Sequence, residues 1–260
     1  MRLTFLGTGT STGVPVPTCD CAVCSSDDPR DHRLRPSVRI EWEGTSILVD
    51  TATDLRLQAL RCGLDRVDAV LYTHSHADHI LGLDDLRIYK WRQRRPVPVY
   101  GSRRTLDDLA RTFWYVFDGK PSESAKPEIE PRVIDGSFTV GGRTVFPVPL
   151  FHGTLPIFGY RVGRLAYLTD ASEIPESSYE LLHGLDVLVL NALRDRPHPT
   201  HMNLDDAVAC AARIGARRTL LTHLCHEVHH GSVSARLPDG VELAYDGLAL
   251  DVADDKDAPC

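Results

Sequence analysis

Four side chains able to bind a metal are packed into one short run, His74-Ser-His76-Ala-Asp78-His79. Imidazole nitrogen and carboxylate oxygen suit zinc, manganese or iron. The run follows the apolar stretch Asp68-Ala-Val-Leu-Tyr-Thr, so it begins where a strand should end. Ligands placed there sit on a firm base and can still converge. His74 and His76, at i and i+2, can face one metal, while Asp78 and His79 turn towards a second. Two cations ~3.5–4 Å apart lower the pKa of a bridging water and stabilise charge on attacking and leaving oxygens. The spacing therefore points to dinuclear hydrolytic chemistry with a bridging hydroxide as nucleophile. The alternative, a polar loop with chance histidines, is disfavoured because only 12 of 260 residues are histidine.

A second set of donors lies earlier, in Cys19-Asp-Cys21-Ala-Val-Cys24. Three thiolates at this spacing can hold one zinc and need a fourth ligand. A redox pair is the rival reading, but the third cysteine argues against it. The start of the chain carries no secretory signal, so metal binding is favoured over disulfides and the expected compartment is the cytoplasm. Two further histidine groups stand out, His198-Pro-Thr-His201 and Thr222-His223-Leu-Cys225-His226. Two histidines three apart cannot easily serve one metal from a turn, but they can serve two.

The elements that must position these residues are short apolar strands. Those expected are Leu3–Leu6, Val38–Trp42, Ser46–Val49, Ala69–Tyr72 and Val97–Tyr100, then Thr139–Val140, Thr144–Val148, Phe158–Val162, Leu165–Leu168, Val187–Leu190 and Thr219–Leu221. Helices are expected at Thr53–Arg61, Leu81–Arg92, Thr105–Phe117, Glu176–Leu182 and Asn203–Ile214, the last capped by Asn203. Two mixed sheets packed face to face with helices outside fit this order. Residues 118–131 read as a surface loop or flap, and 251–260 as a frayed tail. The rest, with no linker, reads as a single domain over 1–260. The charge of −7 makes the chain a poor non-specific binder of nucleic acid. No apolar run approaches the ~20 residues of a membrane span. The basic run Arg87, Lys90, Arg92, Arg94, Arg95 could meet phosphate, but a solvated helix face is the plainer reading.

The His74–His79 segment resembles the His-x-His-x-Asp-His signature of the metallo-β-lactamase superfamily. The resemblance runs over nearly the whole chain and implies an αββα sandwich with the metal site at one sheet edge. It implies later ligands at His152, in Leu150-Phe-His-Gly, at Asp170, in Tyr167-Leu-Thr-Asp, and at His223, in Leu221-Thr-His. By that match one metal takes His74, His76 and His152, and the second takes Asp78, His79 and His223. Asp170 bridges them. Asp50 resembles an early aspartate that orients the site, although the glycine expected two residues later is Ala52. The cysteine cluster together with Gly7-Thr-Gly-Thr-Ser-Thr-Gly-Val-Pro resembles the PhnP group of phosphoribosyl cyclic phosphodiesterases. That implies His226 as the fourth ligand of a structural zinc, with Cys225 as the competitor, and His201 as general acid.

The resemblance thus implies a hydrolase with two divalent cations, zinc or manganese, and one structural zinc. Asp78, Asp170 and His201 would be its catalytic residues. Its substrate would be a small cyclic phosphodiester, 5-phosphoribosyl 1,2-cyclic phosphate, opened to ribose 1,5-bisphosphate in phosphonate breakdown. A homodimer is implied by the same likeness, with no membrane and no stable nucleic-acid partner. The rivals are another hydrolase on the same site (2′,3′-cyclic nucleotide phosphodiesterase, nuclease or lactonase) and a cofactor-biosynthesis protein of the PqqB group.

Overall fold

The computed structural model describes residues 1–120 and 125–253. Its first sheet is built from β1 (Arg2–Gly7), β2 (Ser37–Trp42), β3 (Thr45–Val49), β4 (Ala69–Leu71), β5 (Val97–Gly101), β6 (Ile129–Val133) and β14 (Ala249–Asp251). The second holds β7 (Phe138–Val140), β8 (Arg143–His152), β9 (Leu155–Val162), β10 (Leu165–Leu168), β11 (Val187–Asn191), β12 (Arg218–Thr222) and β13 (Val241–Leu243). The strand orders are 14-1-2-3-4-5-6 and 13-12-11-10-9-8-7. Both sheets are mixed: hairpins make one side antiparallel, while β3–β4–β5–β6 and β10–β11–β12–β13 run parallel.

The helices are α1 (Leu55–Cys62), α2 (Ala77–Ile80), α3 (Arg87–Gln93), α4 (Arg103–Thr112), α5 (Trp114–Phe117), α6 (Glu176–Tyr179), α7 (Leu204–Ile214) and α8 (His230–Ser234). Strand alternation explains how three apolar layers arise from short runs. In β4, Ala69 and Leu71 face the opposite sheet, whereas Val70 pairs its side chain with the helix-covered face. In β11, Val187 and Val189 enter the sandwich, and Leu188 and Leu190 meet the layer of α7. Strands buried on both faces read as unbroken apolar segments, which is why they were legible. The two-layer sandwich flanked by helices agrees with the expected architecture.

Three expectations are corrected. Residues 118–131 are not all loop, because Ile129–Val133 forms β6 beside β5. The tail does not fray from 251: Asp251 pairs with Arg2, Val252 N donates to Met1 O at 2.7 Å, and Val252 is buried. Residues 254–260 and 121–124 lie outside the described residues. The single helix expected over Leu81–Arg92 is a 3-10 turn, Leu81–Leu86, followed by α3. Asn203 caps α7 as expected, its side chain accepting from Asp206 N at 2.8 Å. No described helix is long and apolar enough to cross a membrane.

Candidate metal centre

The predicted donors all leave the ends of strands on one edge of the sandwich. Asp50 follows β3, and His74, His76, Asp78 and His79 follow β4. His152 ends β8, Asp170 follows β10 and His223 follows β12. Asp50, Asp170 and His223 take positive φ values of 63°, 59° and 59°. For residues with a β-carbon this left-handed geometry is strained, and such strain gathers at functional sites. It turns each side chain sharply out of its strand towards the others. Two glycines allow the loops to close on them. A β-carbon on Gly82 would come within 2.1 Å of Ala52 O, so only glycine lets the segment after α2 dock on the Asp50 turn. Gly153, at φ +61°, lies against Thr200, where a β-carbon would meet Cγ2 at 3.0 Å.

The donor atoms of His74, His76 and His152 lie within 4.8 Å of one another, and so do those of Asp78, His79 and His223. These are the two triads expected from the resemblance. Asp170 sits between them. Its Oδ1 is 3.0 Å from His223 Nε2, and its Oδ2 is 3.2 Å from His79 Nε2. Asp78 Oδ2 lies 3.4 Å from His79 Nε2 and 3.7 Å from His223 Nε2. Asp170 also closes groups with His74 and His79, and with His152 and His201. His74 and His152 are buried, while His76 is exposed and opens the cluster to solvent.

Neighbouring groups fix which nitrogen points inward. His79 Nδ1 pairs with Asp50 Oδ2 at 2.7 Å, and Asp50 also accepts from Thr73 N and Thr73 Oγ1, each at 2.8 Å. The His152 ring donates through Nδ1 to Asp170 O at 2.8 Å. Both histidines therefore aim Nε2 into the cluster, the arrangement that raises ligand basicity at metal sites. Asp50 caps its strand end and orients His79 at once. Ala52, in place of the expected glycine, is fully buried and does not disturb this.

The electrostatics describe a cluster in need of cations. Burial opposes charge on every member. Even so, Asp170, Asp78 and Asp50 hold His79 well above the usual imidazole range, and Asp170 and Asp78 raise His223 to about 9 against its burial. Against the same penalty, His223 and His79 hold Asp170 well below the carboxylate range, and His79 and His223 lower Asp78. Burial, with His79 beside it, pushes His74 well below its ordinary value. Protons on His79 and His223 thus offset buried carboxylates. Yet His79 Nε2 and His223 Nε2 are buried without a hydrogen-bond partner. Orphaned inward nitrogens beside acceptor-only carboxylates fit divalent cations better than they fit one another.

His201 joins this cluster from the loop before α7. Its ring stacks on His223 with centroids 4.7 Å apart, and its Nδ1 is 3.7 Å from Asp170 Oδ1. Burial and then His223 push its pKa down to about 3. Its surroundings in the ligand-free protein thus lower its proton affinity. His198 lies further out, with its ring centroid 5.1 Å from that of His201.

The cysteines form their own group with His226. Its Nδ1 is 3.2 Å from Cys19 Sγ, 3.7 Å from Cys21 Sγ and 3.6 Å from Cys24 Sγ. Cys225 stands outside the group: its thiol accepts from Glu227 N at 3.3 Å. The backbone N–H of Cys24 leads in lowering the Cys21 thiol to about 6, whereas burial raises Cys24 to about 11. No disulfide joins the described cysteines.

Other singled-out residues are elsewhere. Arg87, Lys90 and Arg95 pair with Asp84, Glu128 and Asp68 around α3, as a solvated face would. His229 caps α8, accepting from Ser232 N, and His230 is buried with its N–H on Asp31. Sequence reasoning missed Ser75, which donates to Asp108 Oδ2 on α4 at 2.5 Å and anchors the turn between two donors. It also missed Asn191, whose Oδ1 accepts from Ala171 N at 2.7 Å just past Asp170. Neither residue has a spacing that announces it, since both partners are remote in sequence.

Comparison with known proteins agrees with this geometry. Residues 45–224 match the family model described as a beta-lactamase superfamily domain. A crystal structure described as a new diphosphatase from the PhnP family superposes with a TM-score of 0.91. It shares 46% identity and covers 97% of this chain and 98% of its own. An octanoyltransferase of Porphyromonas gingivalis (strain ATCC BAA-308 / W83) is 40% identical over 95% of this chain, which spans 51% of that protein's length. A ribonuclease Z of Mycobacterium sp. (strain KMS) is 27% identical, covering 95% of this chain and 94% of its own. With the sandwich, the strand-end donors and these likenesses together, the chain belongs to the metallo-β-lactamase superfamily as a PhnP-like, metal-binding hydrolase.

Proposed function

We propose that this chain, as a single hydrolase domain, cleaves a small phosphodiester with two divalent cations held by its imidazole–carboxylate cluster. His74, His76 and His152 would hold one cation, Asp78, His79 and His223 the other, and Asp170 both. The observation that carries this reading is Asp170, whose carboxylate groups with His74 and His152 of one triad and lies 3.2 and 3.0 Å from His79 and His223 of the other. Cations bound there would supply Lewis acidity to phosphoryl oxygens and acidify water at neutral pH. Zinc and manganese both suit the donors. The chain's own residues do the rest. Asp50 and the Asp170 carbonyl fix the rings, and exposed His76 marks the open side. His201 faces the cluster beside Asp170. A bound phosphate places negative charge next to this imidazole and raises its proton affinity, so that it can protonate a leaving alkoxide.

The substrate that the PhnP likeness suggests is 5-phosphoribosyl 1,2-cyclic phosphate. A second reading is hydrolysis of a diphosphate, favoured by the diphosphatase at 46% identity. The octanoyltransferase's activity is not carried over, because this chain spans about half of that protein. Cys19, Cys21, Cys24 and His226 would hold a structural zinc away from the reaction. The discriminating experiment offers the metallated protein the cyclic phosphate, a diphosphate diester, a 2′,3′-cyclic nucleotide, structured RNA and a lactone. Preference of at least tenfold in kcat/KM for the cyclic phosphate supports the first reading. Preference for the diphosphate supports the second, and turnover of RNA or lactone alone would overturn both.

A further inference from the structure

The loop bearing His198 and His201 is closed at its base by backbone bonds. Leu193 N donates to Met202 O at 3.0 Å, and Leu204 N donates to Arg194 O at 2.9 Å. The far part of the loop has a different hold. Arg196 Nε and Nη2 donate to Glu227 at 3.0 and 2.6 Å, and Arg194 Nη1 reaches Glu227 Oε1 at 3.3 Å. Arg194 also donates to the carbonyls of Arg196 and Pro197 at 3.4 and 3.5 Å. Asp195 pairs separately with Arg236.

Glu227 is itself on fixed ground. It directly follows His226 and lies on the turn that begins with His223. Cys225 N donates to Leu193 O at 3.0 Å. The fully buried guanidinium of Arg33, paired with Asp31 at 2.8 Å, donates to Cys225 O at 3.0 Å and Val228 O at 2.7 Å. One turn therefore carries a donor to each cluster and then a carboxylate that grips the His201 loop.

We propose that Glu227 is a positioning residue. Through Arg194 and Arg196 it fixes loop 194–201 against the His223–His226 turn, and so sets His201 beside Asp170. The proposal rests on the reading of His201 as the group that serves the leaving oxygen. Partly exposed ion pairs of this kind contribute little to global stability. A small misplacement of a reacting group, by contrast, costs rate. The signature is thus local disorder and lost kcat in a protein that is still folded and metallated.

The test compares Glu227→Gln in the wild-type and His201→Ala backgrounds, with matched metal content. It reads kcat, KM and hydrogen exchange of amides 194–201. The expected result in the wild-type background is a kcat about tenfold lower with KM within about twofold, and faster exchange confined to the loop. In the His201→Ala background Glu227→Gln should lower kcat no further. Unchanged exchange overturns the proposal, as does an equal fall of kcat in both backgrounds. If His201→Ala alone leaves kcat intact, the catalytic reading of His201 fails. The exchange measurement then still decides whether Glu227 holds the loop.

Discussion

The imidazole–carboxylate cluster and the cysteine cluster share one turn, 223–226, yet differ in donor type, burial and origin. The first gathers nitrogen and oxygen donors from four separate strand ends, nearly all buried, and leaves His76 open to solvent. The second takes its three sulfurs from one loop and a nitrogen 207 residues away from Cys19. A closed set of three thiolates and one imidazole suits a structural ion, and an open set of nitrogen and oxygen donors suits chemistry. Cross-linking so distant a pair restricts the unfolded chain, whereas converging strand ends hold buried charge in place at some strain. On the proposed reading, the difference separates what folds the protein from what reacts.

Substitutions sharpen that separation. Asp170→Ala should have the largest effect, because its carboxylate groups with members of both triads. Activity should fall on the order of 10³-fold or more, and the cysteine-held metal should remain. Steady-state kinetics with elemental analysis checks both. Loss of that remaining metal would break the comparison. His201→Ala should lose roughly 10²–10⁴-fold in kcat while keeping its metals. His201 also forms a group with His152 and Asp170, so a fall in metal content would make it a ligand instead. Asp50→Asn should weaken active-site metal affinity by ~10–100-fold, read by competition with a chelating dye, with no change at the cysteines.

The last effect is a pH dependence. In the metal-free protein His223 is raised to about 9. A raised imidazole stabilises the fold below its unfolded value of roughly 6.5, and this is lost as pH rises through about 9. Metals must displace that proton, so affinity at the imidazole cluster should climb by about tenfold per pH unit for each proton released. Thermal melts and metal titrations from pH 6.5 to 9 check both. A flat affinity profile would mean that His223 is already deprotonated.

Much of this was legible in the sequence because the donors follow strands buried on both faces. Ala69–Thr73 before His74 and Leu165–Thr169 before Asp170 are unbroken apolar or β-branched runs. What was missed is exposed or non-local. The strands β6, β13 and β14 lie at sheet edges, where burial imposes no apolar pattern. The left-handed turns at Asp50, Asp170 and His223 are not marked by a glycine at the turning residue. The lowered proton affinity of His201 comes from burial and then from His223, neither of which spacing reveals. Likewise the grip of Glu227 on Arg194 and Arg196 joins segments more than 30 residues apart.

The most direct measurement is metal content per chain before and after mild chelation. About three ions are expected in the purified protein, two leaving together with activity and one staying with the cysteines. A single ion per chain, or three that leave as one population, would contradict the division into a reacting pair and a structural clasp.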